Sequence, residues 1–277
     1  PHLPTGSNQE EAGNQVDQLL NDYLSKHNLN GSIAWYYTPM AYRPETVFNA
    51  DLVIYDCMDE LSAFRFAPPS LKEKEKELME RADIVFTGGY SLYEAKKDNH
   101  LNIHLFESSI DTAHFGLARS ITTDMDDQKY IGHPRIGFFG VIDERMDIEL
   151  LNELAVKKPD WNYILIGPIV KIDPATLPRH GNIYYLGQKT YNELPGYIAH
   201  WDVAMMPFAI NESTRFISPT KTPEYLAAGK PVVSTPVHDV VRSYSESDLV
   251  YFGATADQFT DAIERALSIA DRSNWLR

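Results

Sequence analysis

The chain has 277 residues, of which 43% are hydrophobic and 23% are charged, a balance typical of a globular protein and not of a disordered, collagen-like or coiled-coil chain. The 39 acidic residues outnumber the 25 basic ones and give a formal net charge of −14, which excludes nucleic-acid binding through a basic field. A single cysteine, Cys57, excludes a disulfide framework and favours a reducing, cytoplasmic setting.

The charge is divided unevenly along the sequence. Residues 1–128 hold 10 basic and 21 acidic residues and carry −11, whereas residues 129–277 hold 15 and 18 and carry −3. The second part is therefore the better place for an anionic ligand. No apolar run reaches the roughly 18 residues of a transmembrane segment, and the acidic first part predicts weak or no association with an anionic membrane.

Short apolar segments alternate with helical patterns along the chain. The predicted strands are 32–37, 52–55, 84–87, 102–106, 135–139, 162–167, 182–187, 202–208, 231–235 and 249–252. The predicted helices are 9–27, 70–82, 90–98, 146–157, 190–200, 222–228 and 256–270. Because the strands are continuously apolar, we expect them to be buried on both faces. Strand–helix–strand repetition predicts parallel, doubly wound sheets.

The polar segment 119–134 has no apolar period and separates two such series. We therefore predict two Rossmann-like domains, residues 1–130 and 131–277. The first has only about four predicted strands and lacks the opening strand and Gly-rich turn of a Rossmann domain. We expect it to be incomplete and the chain to be truncated at its N-terminus. The helical pattern at the end, which has no C-cap, suggests the same for the C-terminus.

Segment 218–235, SPTKTPEYLAAGKPVVST, predicts a short helix before a buried strand. Thr222 suits an N-cap with Pro223 in the first helical position, and a cap at Ser218 stays open as an alternative. Gly229 suits the end of this helix. The helix start would face the carboxyl ends of the strands, where ligands bind in open α/β sheets.

The residues at this helix start predict a phosphate site beside a sugar site. Free backbone N–H groups after residue 218 and the helix dipole favour an anion, and Lys221 adds a full positive charge. Glu224 would repel phosphate, so its predicted role is to accept hydrogen bonds from sugar hydroxyls. The alternative for both residues is a capped helix with a solvated ion pair.

The pattern P-x-K-x-x-E-Y-L-A-A-G-K-P-V-V, which starts at Pro219, resembles the donor-site signature of retaining glycosyltransferases of family 4 (group 1), in particular bacterial members that build cell-surface polysaccharide. Further likenesses follow in the family's order: Gly140 after strand 135–139, and segments 53–60, 80–92, 104–115, 163–168, 182–187 and 201–208. The resemblance covers residues 50–270. It implies the GT-B fold, an α/β architecture of two Rossmann-like domains whose parallel sheets face a cleft.

The resemblance implies transfer of a sugar, with retention, from a nucleotide-diphosphate donor to a hydroxyl acceptor in polysaccharide or glycoconjugate synthesis. A UDP-sugar is favoured and a GDP-sugar comes next; the acceptor would be a sugar or a lipid-linked sugar. Neither a cofactor nor a metal is required, because cations of the protein would neutralise the diphosphate. The implied donor-binding residues are Gly140, Arg145, Arg215, Ser218, Thr220, Lys221 and Glu224.

Some positions depart from the family pattern. Phe216 stands where many members have a glutamate, eight residues before Glu224. Val141 replaces the usual arginine after the strand-end glycine, and Arg145 is the nearest match to a later lysine. Residues 107–111 read ESSID where the family turn usually reads PNGVD. Arg215 and Arg145 are therefore rival candidates for the diphosphate.

Asp56 and Asp59 follow a predicted buried strand and are the candidate catalytic residues. Carboxylates suit the acceptor side of the cleft, where they can hold hydroxyls or stabilise developing positive charge on the sugar. Their alternative role is helix capping. For His114 a packed side chain is the favoured interpretation, and Gly88–Gly89 either forms a turn or lines a pocket.

Two other functions stay open at this point. One is a non-hydrolysing nucleotide-sugar 2-epimerase on the same fold. The other is a non-catalytic nucleotide-sugar-binding protein, for which Phe216 and the absent first strand both argue. The sequence does not predict the oligomeric state, the donor sugar or the linkage.

Overall fold

The computed structural model describes residues 9–27, 31–43 and 50–269, with side chains described from residue 13 onwards. The strands are β1 (Ile33–Tyr36), β2 (Leu52–Cys57), β3 (Ile84–Thr87), β4 (Ile103–Leu105), β5 (Arg135–Phe139), β6 (Asn162–Ile166), β7 (Ile183–Gly187), β8 (Val203–Met206), β9 (Val232–Ser234) and β10 (Val250–Phe252). The α-helices are α1 (Gln9–His27), α2 (Leu71–Arg81), α3 (Tyr90–Lys96), α4 (Thr112–Gly116), α5 (Ile148–Lys157), α6 (Leu194–Ala199), α7 (Lys221–Ala227), α8 (His238–Tyr244) and α9 (Ala256–Leu267). Every predicted strand is confirmed, with ends that differ by at most two residues.

The C-terminal sheet has the order β10-β9-β8-β5-β6-β7, and the strand pairs described within it are parallel. This is the doubly wound order, in which the chain direction across the sheet reverses between β5 and β8. The prediction of strands buried on both faces is confirmed for β5, β8 and β9, whose residues are all buried. The crevice at the carboxyl ends of β5 and β8 is therefore the expected ligand position.

Two helices of this half, α5 and α9, combine a helical spacing of apolar residues with a side chain that caps the N-terminus. Asp147 caps α5, because its carboxylate accepts a hydrogen bond from the Leu150 amide at 2.9 Å. Thr255 caps α9 in the same way through the Gln258 amide at 3.3 Å. Each helix then buries one face against the sheet.

The N-terminal sheet has the order β1-β2-β3-β4, also with parallel pairs. Here burial alternates along β1 and β3, so the prediction of strands buried on both faces is wrong for them. Among the described residues, one sheet face leaves Trp35 48% exposed and Phe106 71% exposed. The apolar pattern of these strands does not by itself decide which faces are covered.

The predicted helices are confirmed, with ends that differ by up to four residues. Predicted helix 190–200 begins as a 3₁₀ turn at Tyr191–Glu193 before α6. Helices α4 and α8, of five and seven residues, were not predicted. Residue 270, the predicted end of the last helix, lies outside the described residues, as do both chain ends, 1–8 and 271–277.

The segment between the sheets packs on the C-terminal half. Phe115 and Ala118 belong to the same apolar cluster as the C-terminal strands, although both precede the predicted boundary at residue 130. That boundary stays a prediction. Within the described part of the chain, none of the helices combines the length and the apolar character needed to cross a membrane.

Candidate functional site

Helix α7 is anchored to the C-terminal sheet by its buried face. The Tyr225 hydroxyl is fully buried and accepts a hydrogen bond from the backbone amide of Phe139, the last residue of β5, at 3.0 Å. The Thr222 hydroxyl donates to the Met206 sulfur at 3.4 Å. The prediction that Thr222 caps the helix is therefore wrong: its side chain faces the core, and α7 already begins at Lys221.

The predicted end of this helix is confirmed. Gly229 has φ +74°, the left-handed conformation that commonly ends a helix. Val232, the first residue of β9, follows soon after. The short helix is thus held at both ends, and its outward face is presented in a fixed orientation.

That outward face carries Lys221 and Glu224, which are three residues apart and so lie on one side of the helix. Burial lowers the pKa of the Lys221 ammonium, although the nearby Glu224 carboxylate opposes this. Burial raises the pKa of Glu224, against the opposing effects of Lys221 and of a hydrogen bond with Thr220. Both groups are held in a partly dehydrated position, where a charged ligand group would interact strongly with them.

Gly140, directly after β5, provides the surface on which Lys221 lies. Its φ of +144° is one that favours glycine. A Cβ atom at Gly140 would lie 2.3 Å from Lys221 Cε and 3.0 Å from Lys221 Nζ. The lysine side chain therefore packs directly on the Gly140 backbone, and any side chain at Gly140 would displace it.

Arg145 is the second cation at this end of the sheet. Its guanidinium is held by the buried Asp143 carboxylate, with Nη2 to Oδ2 at 2.8 Å and Nε to Oδ1 at 3.0 Å. Burial acts to lower the pKa of Arg145, but the bonds and charge of Asp143 outweigh it and raise the pKa. Arg145 also influences the Lys221 pKa electrostatically, so the two cations share one region.

The remaining predicted donor residues divide into two groups. Ser218 and Thr220 lie just before α7 and line a cavity of about 110 Å³ between the two halves of the molecule. Arg215 does not join Lys221: its exposed guanidinium pairs with Glu212 at 3.7 Å and lies 5.0 Å from the Phe216 ring centroid. The structure thus brings Arg145, and not Arg215, to the Gly140 position.

The structure also separates the two candidate acids. Asp59 is half-buried in the loop after β2; burial raises the pKa of its carboxyl, and the nearby Arg145 opposes this. Asp56 lies within β2, where it accepts a hydrogen bond from the Trp35 indole at 3.2 Å. Asp59 therefore faces the cations of the C-terminal half, whereas Asp56 belongs to the open sheet face.

Several residues at the site were missed by the sequence predictions. Asp143 orients Arg145. In the sequence, Asp143 is marked only as an acidic residue shortly after Gly140, the glycine at the end of β5. Partial desolvation and the charges of Asp111 and Glu224 raise the pKa of Tyr191, which places that ring beside the Glu224 face. His114 stacks on Tyr191 with ring centroids 4.0 Å apart, in agreement with a packed histidine.

A second cavity, of about 790 Å³, lies between α2 and the loop before α7. Its lining includes Glu60, Glu75 and Phe216, and it does not include Lys221 or Gly140. Over the residues that the structure describes, no group of three or more His, Cys, Asp and Glu side chains is arranged to hold a metal ion.

Comparison with known proteins finds a family likeness in the C-terminal half. Residues 133–268, just under half of the chain, match the family model described as glycosyl transferases group 1. The matched range contains β5 to β10 and the outward face of α7. This half is therefore similar to group 1 glycosyltransferases, and the signature starting at Pro219 lies within the matched range. Its assignment to family 4 stays a prediction.

The chain is also similar to a curated protein whose name refers to teichuronic acid biosynthesis. It is 29% identical over 237 residues to the putative teichuronic acid biosynthesis glycosyltransferase TuaH of Bacillus subtilis (strain 168). The match covers 78% of this chain and 59% of TuaH. The matched region is thus about three fifths of the length of this relative.

Solved structures share the arrangement of both sheets. Sucrose-phosphate synthase from Thermosynechococcus elongatus aligns with a TM-score of 0.71 and 17% identity over 100% of this chain and 73% of its own. Anabaena HepE, solved in complex with UDP and glucose, aligns with a TM-score of 0.69 and 15% identity over 99% and 78%. These likenesses confirm the predicted GT-B fold.

Proposed function

We propose that the protein is a glycosyltransferase that moves a sugar from a nucleotide-diphosphate donor, a UDP-sugar in the first place and a GDP-sugar next, to a hydroxyl acceptor. One observation carries this proposal: Lys221 lies on the Gly140 backbone at the carboxyl end of β5, with Arg145 and Glu224 close to it. Two cations beside one carboxylate suit a diphosphate joined to a polyhydroxyl group.

The cations would act on the leaving group. As the bond between the sugar and the diphosphate breaks, negative charge grows on the diphosphate oxygen. Lys221 and Arg145 are already oriented by Gly140 and Asp143, so they would stabilise that charge with little reorganisation. The Glu224 carboxylate would accept hydrogen bonds from ribose hydroxyls, and amides near Ser218 and Thr220 would add donors to the phosphates.

Asp59 is the better candidate for the acceptor side. Its partly dehydrated carboxyl lies near Arg145, where it could hold the acceptor hydroxyl or the developing positive charge of the sugar. Asp56 is engaged with the Trp35 indole and is the weaker candidate. Retention at the sugar carbon, independence of metal ions and a cytoplasmic location belong to the same proposal, and they rest on the family resemblance.

UDP is the first choice because uridine donors are common in the resembling family and because HepE was solved with UDP and glucose. TuaH is named for teichuronic acid biosynthesis, which supports an acceptor in a bacterial cell-surface polysaccharide. The acceptor would be a sugar, either free or linked to a lipid carrier.

The test is a calorimetric titration with UDP, GDP, ADP and dTDP. We expect one nucleotide, UDP, to bind, and Lys221→Met to weaken its binding about 100-fold, because two hydrogen bonds from a charged group are lost. The matched control is Lys129→Met, since this exposed lysine pairs with Asp126 at 2.8 Å and lies over the Tyr130 ring. No binding of any nucleotide by the unmodified chain would refute the proposal.

A second assay separates the three candidate activities. The protein is incubated with a UDP-sugar, with and without an acceptor saccharide, and the products are resolved by mass spectrometry and NMR. Transfer to the acceptor supports the proposal. Conversion of the free UDP-sugar to its 2-epimer identifies an epimerase instead, and donor binding without either product identifies a non-catalytic binding protein.

A further inference from the structure

The two halves of the molecule touch at Gly89, which with Gly88 directly follows β3. Gly89 has φ −158°, extended backbone that any residue adopts, so it does not act as a turn glycine. A Cβ atom there would lie 2.6 Å from Asp239 Oδ2 and 2.7 Å from Ser218 Cβ. Glycine is needed because two side chains of the C-terminal half rest on this backbone.

Gly88 makes a close contact within its own half. A Cβ atom at Gly88 would lie 2.9 Å from the Met58 carbonyl oxygen and 3.1 Å from Met58 Cα. Met58 immediately precedes Asp59. The glycine pair therefore lies between the loop of the candidate acceptor-side acid and the loop that leads into α7.

Asp239 belongs to α8 of the C-terminal half, yet it caps a helix of the N-terminal half. Its carboxylate accepts hydrogen bonds from the Ser91 amide at 3.0 Å to Oδ1 and 3.3 Å to Oδ2. Ser91 is in the first turn of α3, where backbone amides have no partner within the helix. The residue before that helix is Gly89, which has no side chain to cap it.

The Asp239 contact is buried and charge-assisted. Asp239 is 3% exposed, and a carboxylate in such a position is costly unless hydrogen bonds satisfy it. Besides Ser91, it contacts His238 of its own helix, Nδ1 to Oδ1 at 3.1 Å. The contact that offsets its burial therefore comes largely from the other half of the molecule.

A further hydrogen-bonded contact between the halves is more exposed. The Arg65 amide donates to Glu144 Oε1 at 3.2 Å, and the Arg65 guanidinium donates to the Lys171 carbonyl oxygen at 3.2 Å. Arg65 is exposed, and contacts of exposed charged groups contribute little. Ring contacts also join the halves, with Arg242 over the Tyr90 ring at 3.6 Å and Arg145 over the Phe64 ring at 5.5 Å. Beside Ser218, the buried hydrogen bonds that join the halves are those of Asp239.

We propose that Asp239 is a positioning residue of the donor site. By capping α3 it holds the halves together at Gly89, and this contact fixes Ser218 and the loop from which Lys221 extends. The inference rests on the proposed function, because Lys221 would be the residue that binds the donor diphosphate. Asp239 itself need not contact the donor.

The test combines a geometric readout with a binding readout. Spin labels are placed on cysteines introduced by Lys76→Cys and Val156→Cys, both at exposed positions on different halves, and their distance distribution is measured by electron paramagnetic resonance. The UDP dissociation constant is measured by calorimetry on the same chain. The variants are Asp239→Ala, Asp239→Asn, which preserves the side-chain shape, and Gly89→Ala.

Asp239→Ala removes the carboxylate that accepts from Ser91, and the methyl group of Gly89→Ala would clash with Asp239 and Ser218. We expect both variants to broaden the distance distribution and to weaken UDP binding about ten-fold, the scale of one charge-assisted hydrogen bond. Asp239→Asn should change both in the same direction by less. Two controls should change neither: Thr255→Ala, which removes the cap of α9 within one half, and Gly116→Ala, where a Cβ atom meets nothing within 4 Å.

Three results would overturn the inference in distinguishable ways. Unchanged distances in Asp239→Ala and Gly89→Ala would refute the contact. Changed distances with unchanged UDP affinity would refute the positioning role and leave the proposed function standing. Failure of the unmodified chain to bind any nucleotide would refute the proposed function and, with it, the donor role of Asp239, while the distances would still report on the contact.

Discussion

The two halves of the molecule share one strand–helix repetition, but different interactions hold them together. The C-terminal half has one continuous apolar cluster that runs from β5 through β10 to α9. The N-terminal half has a smaller apolar cluster and, beside it, a buried group of charges around Lys96. The same secondary-structure pattern is therefore compatible with an apolar interior and with a partly ionic one.

The ionic group lies directly behind the Asp59 loop. Lys96 Nζ is 2.7 Å from Glu60 Oε2 and 2.7 Å from Glu75 Oε2. Burial acts to lower the pKa of Lys96, but the neighbouring thiol and carboxylate groups outweigh it and raise the pKa. Burial raises the pKa of Cys57, which is next to this group, to about 12, so the thiol is not an activated nucleophile.

The two halves support different candidate residues with these different interiors. The C-terminal half presents Lys221 and Glu224 on a helix anchored in an apolar core. The N-terminal half holds Asp59 on a loop whose neighbour, Glu60, is fixed by a buried ion pair. Substitutions can test each half separately.

The largest expected effect comes from Lys96→Met. It leaves Glu60 and Glu75 without their cation, and breaking a buried ion pair in this way typically costs about 3–5 kcal/mol. We expect this loss in the free energy of unfolding measured in urea. Lys97→Met, which removes a more exposed lysine paired with Glu94, should cost less than about 1 kcal/mol; equal losses would show that the ion cluster does not stabilise this half.

The next effect concerns chemistry at the N-terminal half. Asp59→Asn should lower the transfer rate about 100-fold, the lower limit of what a positioned acid or base contributes, while UDP affinity changes little. Asp56→Asn serves as the matched variant and should leave the rate almost unchanged. The opposite ranking in steady-state kinetics would assign the acceptor-side role to Asp56.

Packing of the C-terminal half is tested by Gly137→Ala. A Cβ atom at Gly137 in β5 would lie 2.0 Å from a ring carbon of the buried Trp201. Overpacking of this kind costs about 1–3 kcal/mol, measured as a lower free energy of unfolding. Gly181→Ala, where a Cβ atom meets nothing within 4 Å, should leave the free energy of unfolding unchanged. An unchanged free energy of unfolding in Gly137→Ala would mean that the core around Trp201 has room for a methyl group.

The smallest effect is expected from Glu224→Gln, which should weaken UDP binding about ten-fold through loss of a charge-assisted hydrogen bond. Burial raises the pKa of Glu224 above the ordinary 4.5. The wild-type carboxylate therefore takes up a proton at a higher pH than an ordinary one. UDP affinity should fall as the pH drops through that raised pKa, and calorimetry across this range should find the fall reduced in Glu224→Gln.

The raised pKa also fixes the sign of the effect of Glu224 on stability. The Glu224 carboxylate binds a proton more readily in the folded protein than in the unfolded chain. The contribution of Glu224 to the free energy of unfolding therefore falls as the pH rises from 4.5 through the pKa of the folded state. In Glu224→Gln this dependence should be absent. If Glu224→Gln left the pH dependence of both the UDP affinity and the free energy of unfolding unchanged, Glu224 would not be the group that titrates.

The sequence by itself determined the elements and the type of sheet. Continuous apolar runs such as residues 135–139, bounded by turn residues, predict buried strands, and strands alternating with helices can pair in parallel. It also placed Lys221 and Glu224 on one helix face, because a spacing of three residues is a local property of a helix. The start of that helix was misplaced, because Thr222 turns inward to Met206.

Tertiary structure decided which distant residues meet. Lys221 lies on Gly140, Arg145 joins it while Arg215 does not, and Asp239 reaches Ser91, 148 positions away. Such contacts depend on the order of strands in the sheet and on how two halves approach each other. The sequence sets spacing only along the chain, and distances between separate elements arise from packing against a shared core.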